Sequence, residues 1–230
     1  MSFKSNAGTI IDRAINELRT GRPLIIQNNK DFWMFFNIEH SQSSIFNKFN
    51  KYLVDKKYLL VTRQKANSIF NKNIKNNIFF EIHHKTDTNK IINLFVNPLS
   101  KNKTIKFTKI KKFKSKKFHD VCIDLSKNAK MIPSLVFKKI ADKYRQNIYD
   151  FAFKNGILLF NYKDLVNQNE LISESIKLVS SAKVPLPKNQ NSKFKIFKSY
   201  IGSDKHVAII VNPNKIKKKC VNLRIHSACF

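Results

Sequence analysis

Four short apolar runs in the first 160 residues, at 24–26, 58–61, 135–137 and 157–160, are each followed or preceded by a stretch whose apolar residues recur at helical spacing. This alternation limits the fold more than any other feature. Runs of that length bounded by turn residues read as buried strands, and the amphipathic stretches between them must cover the sheet they form. The first such stretch puts Ile11, Ala14, Ile15 and Leu18 on one face, with Thr9 placed to cap it, Asp12 three residues on, and Gly21 to end it before Arg22, Pro23 and the first strand. Further helices are predicted over Arg63–Phe70, over 121–129 ahead of Pro133, and over 141–155, where Ile148, Phe151 and Ala152 share a face and Gly156 stops the helix. A helical turn is predicted over 162–168. The fold class is therefore α/β (α+β), a mixed sheet flanked by helices, with Leu18, Ile25, Ile148 and Phe151 expected to be buried together.

The pattern changes after residue 170. A last helix is predicted over 173–182, and Val184, Pro185, Leu186 and Pro187 mark the clearest boundary in the chain. Beyond it, strands are predicted over 194–200, 206–211 and 221–225, with turns at 202–205 and 212–214, which makes a short antiparallel meander. The domains expected are 1–170, a helix and linker over 171–187, and a second unit over 188–230.

With 42% hydrophobic residues in 230, the chain can bury a real core, and 4 glycines and 6 prolines leave no room for a long flexible linker. No apolar stretch approaches the roughly 18–20 residues that span a bilayer, and residues 1–8 lack the apolar core of a secretory signal. Cys122, Cys220 and Cys229 are odd in number and far apart, so a disulfide framework is not expected and a reduced, cytoplasmic setting is.

The net charge of +29 predicts attraction to polyanions. Lys, Asn, Ile and Phe are over-used together, however, and they share A- and T-rich codons, so genome drift alone generates such a charge. Segment 101–117 alternates Ile105 and Phe107 with lysines, and reads as an edge that lysines protect rather than as a phosphate-binding stripe. Nucleic-acid contact, where it occurs, is expected to be weak, salt-sensitive and indifferent to sequence. His83 and His84 are adjacent on a predicted strand, so they point to opposite faces and cannot share an ion.

Several segments resemble known families in the correct order. Residues 14–26, a helix ending in Gly21, Arg22 and Pro23 before a strand, resemble the start of 3,4-dihydroxy-2-butanone 4-phosphate synthase; so do 61–66, Asp124 and Leu125 with Pro133, and 148–164. The tail Arg224, Ile225, His226, Ser227, Ala228, Cys229, Phe230 resembles the GTP cyclohydrolase II signature, with Ala228 where that family has Glu, and 182–186 resemble its lead-in. The whole is similar to the alphaproteobacterial type of cyclohydrolase in the bifunctional riboflavin biosynthesis family, whose first half is already degenerate.

The resemblance carries expectations about chemistry. The synthase enolises a pentulose phosphate on magnesium with a loop of clustered carboxylates directly after the first strand, but here that loop is Gln27, Asn28, Asn29, Lys30, Asp31. His119 lies one residue out of register from the synthase's metal-binding histidine. The cyclohydrolase opens the GTP ring with a zinc-activated water on three thiolates. Arg224, Ile225, His226 and Ser227 match its GTP-binding segment and Cys229 its first zinc thiolate, while the other two thiolates are expected beyond Phe230. The resemblance thus implies a truncated, inactive remnant with no catalytic residue and no bound zinc, and a homodimer. A basic regulatory or nucleic-acid-binding scaffold on the same fold is the alternative.

Overall fold

The computed structural model describes residues 7–40, 48–70, 73–82, 112–114, 117–187, 190–213 and 221–225. His83, His84 and segment 101–111 lie outside them, as do Cys220 and residues 226–230.

Helix α1 (Ala7–Arg19) buries the predicted stripe of Ile11, Ala14, Ile15 and Leu18. It begins ahead of Thr9, which therefore sits inside the first turn rather than capping it. The helix stops because Gly21 turns left-handed at φ +75°: the Gly21 N–H donates to Leu18 O at 3.1 Å and the Arg22 N–H to Glu17 O at 2.9 Å.

Strands β1 (Leu24–Asn28), β2 (Asp31–Asn37), β3 (Leu53–Val61), β4 (Ile78–Ile82), β5 (Lys112–Lys114), β6 (Ser134–Ile140) and β7 (Leu158–Asn161) form one sheet in the order β5-β4-β3-β6-β2-β1-β7. β1 and β7 pair in parallel and the other neighbours antiparallel, so the sheet is mixed as expected. Helix α2 (Arg63–Phe70) follows β3, α3 (Lys117–Asn128) follows β5, and α4 (Ile148–Lys154) and α5 (Gln168–Glu174) flank β7 in sequence.

The pleat sorts the core into two faces. Leu24, Ile26, Phe35, Leu60, Leu135 and Phe137 pack with α1 and α3, burying Leu18, Cys122 and Leu125. On the other face Ile25 and Met34 meet Ile148 and Ala152 of α4, with Phe151 partly buried beside them, and Leu59, Val61 and Phe80 meet Ala66 of α2. Leu18 is thus separated from Ile25, Ile148 and Phe151 by the thickness of the sheet. The expectation that all four lie together fails because Ile25 points away from its neighbours Leu24 and Ile26.

The helix predicted over 141–155 is shorter. Ala141 is still extended, at φ −65° and ψ 140°, and its N–H donates to Tyr52 O at 3.0 Å, so the chain leaves the sheet only after it. A 3-10 turn (Asp142–Tyr144) intervenes before α4, which Gly156 follows at φ +61°.

The helix predicted over 173–182 gives way to a strand. α5 ends at Glu174, and β8 (Ile176–Leu186), β9 (Gln190–Ser199) and β10 (Lys205–Val211) form a second, antiparallel sheet in the order β10-β9-β8. The meander therefore starts earlier than expected and runs through Val184, Pro185 and Leu186, while 221–225 is exposed and has no regular structure. The turn between β9 and β10 rests on the large domain, where the Gly202 N–H donates to Asp12 Oδ1 at 2.8 Å and Lys130 pairs with Asp204 at 2.9 Å. No helix among the described residues is long and apolar enough to cross a membrane.

Candidate functional site

The chain after β1 has no room for a loop. β1 and β2 pair from Leu24↔Phe35 out to Asn28↔Asp31, leaving a two-residue turn in which Asn29 takes φ +55°. Asparagine tolerates that conformation better than most residues. The turn is braced from outside: the Gln27 Nε2 donates to Asn29 O at 3.1 Å, and the Tyr149 hydroxyl donates to Gln27 Oε1 at 3.2 Å.

Asp31, the one carboxylate of this segment, is already occupied. Its Oδ1 lies 2.8 Å from Arg145 Nη2 and 3.0 Å from Lys139 Nζ, and the same Arg145 nitrogen lies 2.7 Å from Asp142. Magnesium takes six oxygens in near-octahedral geometry, keeps several waters, and is held by one or two carboxylates whose oxygens are free to coordinate it. One carboxylate between two cations does not fit magnesium.

Where the first turn of α3 crosses the sheet, aromatic rings fill the space. His119 is 3% exposed, with its ring centroid 3.9 Å from that of Phe79, 3.8 Å from Phe118 and 5.9 Å from Phe137. Trp33 and Tyr58 meet edge to face at 5.5 Å, and Tyr58 stacks on Phe79 at 5.0 Å. Burial, and then the charge of Glu81, push the Tyr58 hydroxyl pKa up. His119 is thus a core ring packed among other rings, and among the described residues no group of three His, Cys, Asp or Glu side chains could hold a metal. The aromatic residues after Asp31 were visible in the sequence, but that they converge with Phe79 and Phe118 was not, because those come from two other segments.

Zinc meets a similar obstacle. Cys122 is fully buried, and burial, then the charge of Asp120, push its thiol pKa well up, whereas a zinc ligand must be a thiolate. Cys122 is therefore not a candidate zinc thiolate. Arg224 and Ile225 are exposed, Ile225 at 91%, and His226, Ser227 and Cys229 lie outside the described residues.

No protein-family model matches the chain. A two-domain 3,4-dihydroxy-2-butanone 4-phosphate synthase from A. baumannii superposes with a TM-score of 0.51 at 13% identity, covering 87% of this chain and 69% of that one. The synthase of Candida albicans superposes at 0.50 with 15% identity, covering 69% of this chain and 96% of that one. The fold is that of dihydroxybutanone phosphate synthase. In sequence, the chain is 27% identical over 108 residues to GTP cyclohydrolase-2 of Azospirillum brasilense; the match takes in 47% of this chain and spans only 28% of that relative. The structural likeness shows the fold, and the sequence likeness takes in less than half of the chain. The loop after the first strand, in which the resemblance implied clustered carboxylates, is here the tight β1–β2 turn.

Proposed function

We propose that this chain is a riboflavin-pathway protein of the GTP cyclohydrolase II kind whose synthase-like domain no longer performs synthase chemistry and acts as a folded support. The observation that carries this reading is Asp31, held on a closed two-residue turn between Arg145 and Lys139. Enolising a pentulose phosphate needs a cation held by carboxylate oxygens free to coordinate it and a base within reach of the substrate. The turn after β1 offers only Asp31, its oxygen engaged by Arg145 and Lys139.

In the same reading, Arg224, Ile225, His226 and Ser227 are the GTP-contacting segment and Cys229 one zinc thiolate. Zinc, when bound by three thiolates, supplies an activated water. Cys122, fully buried with its thiol pKa raised, does not serve as one of those thiolates. A cytoplasmic location and a homodimer follow from the same relationship.

The test is a pair of assays on the purified chain: consumption of a pentulose phosphate with magnesium, and formate release from GTP with zinc. Neither reaction is expected. Pentulose phosphate turnover lost on Asp31→Asn would refute the support role, and GTP turnover lost on Cys229→Ser would show that a complete zinc centre forms.

A further inference from the structure

A cavity of about 500 Å³ opens where the turn before β4 passes between the start of α2 and the outer face of α3. Its walls are polar throughout. Arg63 and Gln64 come from the first turn of α2, Lys75 and Asn77 from the turn before β4, and Asp120 and Lys127 from one face of α3. Asn77 ties the three walls together: its Oδ1 accepts from the Arg63 backbone N–H at 3.0 Å, and its Nδ2 donates to Asp120 Oδ1 at 2.9 Å. The site is therefore organised before any ligand arrives. It lies by the end of β3, beyond Val61↔Ser134, at the opposite end of the sheet from Asp31, since β2 runs from Asp31 to Asn37 opposite Leu135.

We propose that this cleft binds a small phosphate monoester. The charges argue for an anion: Lys127 is paired with Asp124 at 3.0 Å, but Arg63 and Lys75 have no ion-pair partner among the described residues. A guanidinium fork and an ammonium lining one cleft suit a dianionic phosphoryl group better than a single carboxylate. Asp120 argues against a polymer. A nucleic-acid backbone threading the cleft would set a phosphodiester against that carboxylate, whereas a monoester places its phosphate on Arg63 and Lys75 and turns a hydroxyl-bearing body toward Asp120. The volume falls within the roughly 300–1,000 Å³ of small-molecule sites.

The experiment is an amide-shift titration of the full chain at fixed ionic strength with adenosine monophosphate, adenosine, inorganic phosphate and a single-stranded RNA oligomer. Saturable shifts with the monophosphate, centred on Arg63, Gln64 and residues 75–77 and competed by inorganic phosphate, support the site. So does an affinity at least tenfold lower in Arg63→Gln/Lys75→Gln, alongside a Lys48→Gln/Lys51→Gln control that changes less than twofold. Both double variants alter exposed side chains, and mapping on the unaltered chain stands even where a variant misfolds. Adenosine binding as tightly as its monophosphate, shifts spread evenly over the surface lysines, or RNA binding here while monoesters do not, would each overturn the proposal.

Discussion

Arg19 reaches across from the large domain to Gly202 in the turn of the small sheet, its Nη1 donating to the glycine carbonyl at 2.8 Å. The same guanidinium donates to Ala129 O at 3.2 Å and Asn128 O at 3.4 Å, carbonyls at the end of α3, and lies 3.5 Å from Asp204. One side chain at the C-terminus of α1 therefore closes the end of a second helix and fastens the second sheet. Arg19→Met is expected to cost about 1.5–3 kcal/mol, the range for hydrogen bonds to a charged group. Urea unfolding measures the loss, and limited proteolysis should cut the small sheet sooner than in the unaltered chain.

Lys138 lies in β6 between Met34 and Lys57 of the neighbouring strands and is 3% exposed. Burial first, and Lys57 second, push its ammonium pKa below the usual lysine value, with Asp55 opposing. In the window between that lowered pKa and the unfolded value the unfolded chain holds more protons, so stability rises with pH there. Below the window the folded state bears the full cost of the buried charge. Lys138→Met is expected to remove that rise and to leave the protein about 1 kcal/mol more stable at neutral pH. Denaturant midpoints from pH 7 to 10.5 test both; a variant that keeps the wild-type slope assigns the effect to another group.

Phe79 is the hub of the ring cluster, touching Tyr58 and His119 on its faces and Trp33 at 5.9 Å. Phe79→Ala removes a side chain only 4% exposed and should cost about 3–5 kcal/mol. Trp33 is the single tryptophan, so its emission should shift to the red as water enters beside it.

Gly21→Ala combines two separable penalties. The new Cβ would stand 2.9 Å from the His40 ring, and the φ of +75° disfavours any side chain. Adding His40→Ala should recover the clash and leave a residual loss of about 1–2 kcal/mol from the left-handed backbone. Complete recovery would show that the backbone relaxes.

Local signals were legible in the sequence where they decided the outcome alone. The stripe of α1, the stop at Gly21 and the whole of α2 follow from spacing and from the residues themselves. Distant partners decided the rest. The spacing of Ile172, Ile176 and Val179 suits a helix, yet the ladder to β9, with Leu178 opposite Phe197 and Ala182 opposite Phe194, makes 176–186 a strand. Likewise, only the bond from Ala141 to Tyr52 delays the helix that apolar periodicity placed at 141. In the site, the missing carboxylates could be read directly after β1, whereas the ring cluster around Phe79, and the cleft held by Asn77, join segments that no local pattern connects.

The parallel pairing of β1 with β7 sets a schedule for synthesis. Leu24 finds its partner in Leu158 and Gln27 in Asn161, so β1 has one edge open until about 130 more residues have been added. At about 5–20 residues per second that interval is roughly 7–26 s. During it the β1–β2 hairpin can form, but its outer edge presents Leu24, Ile25 and Ile26 to any other extended chain nearby. A nascent chain stalled before Leu158 should therefore recruit chaperones, and one stalled well beyond Asn161 should release them.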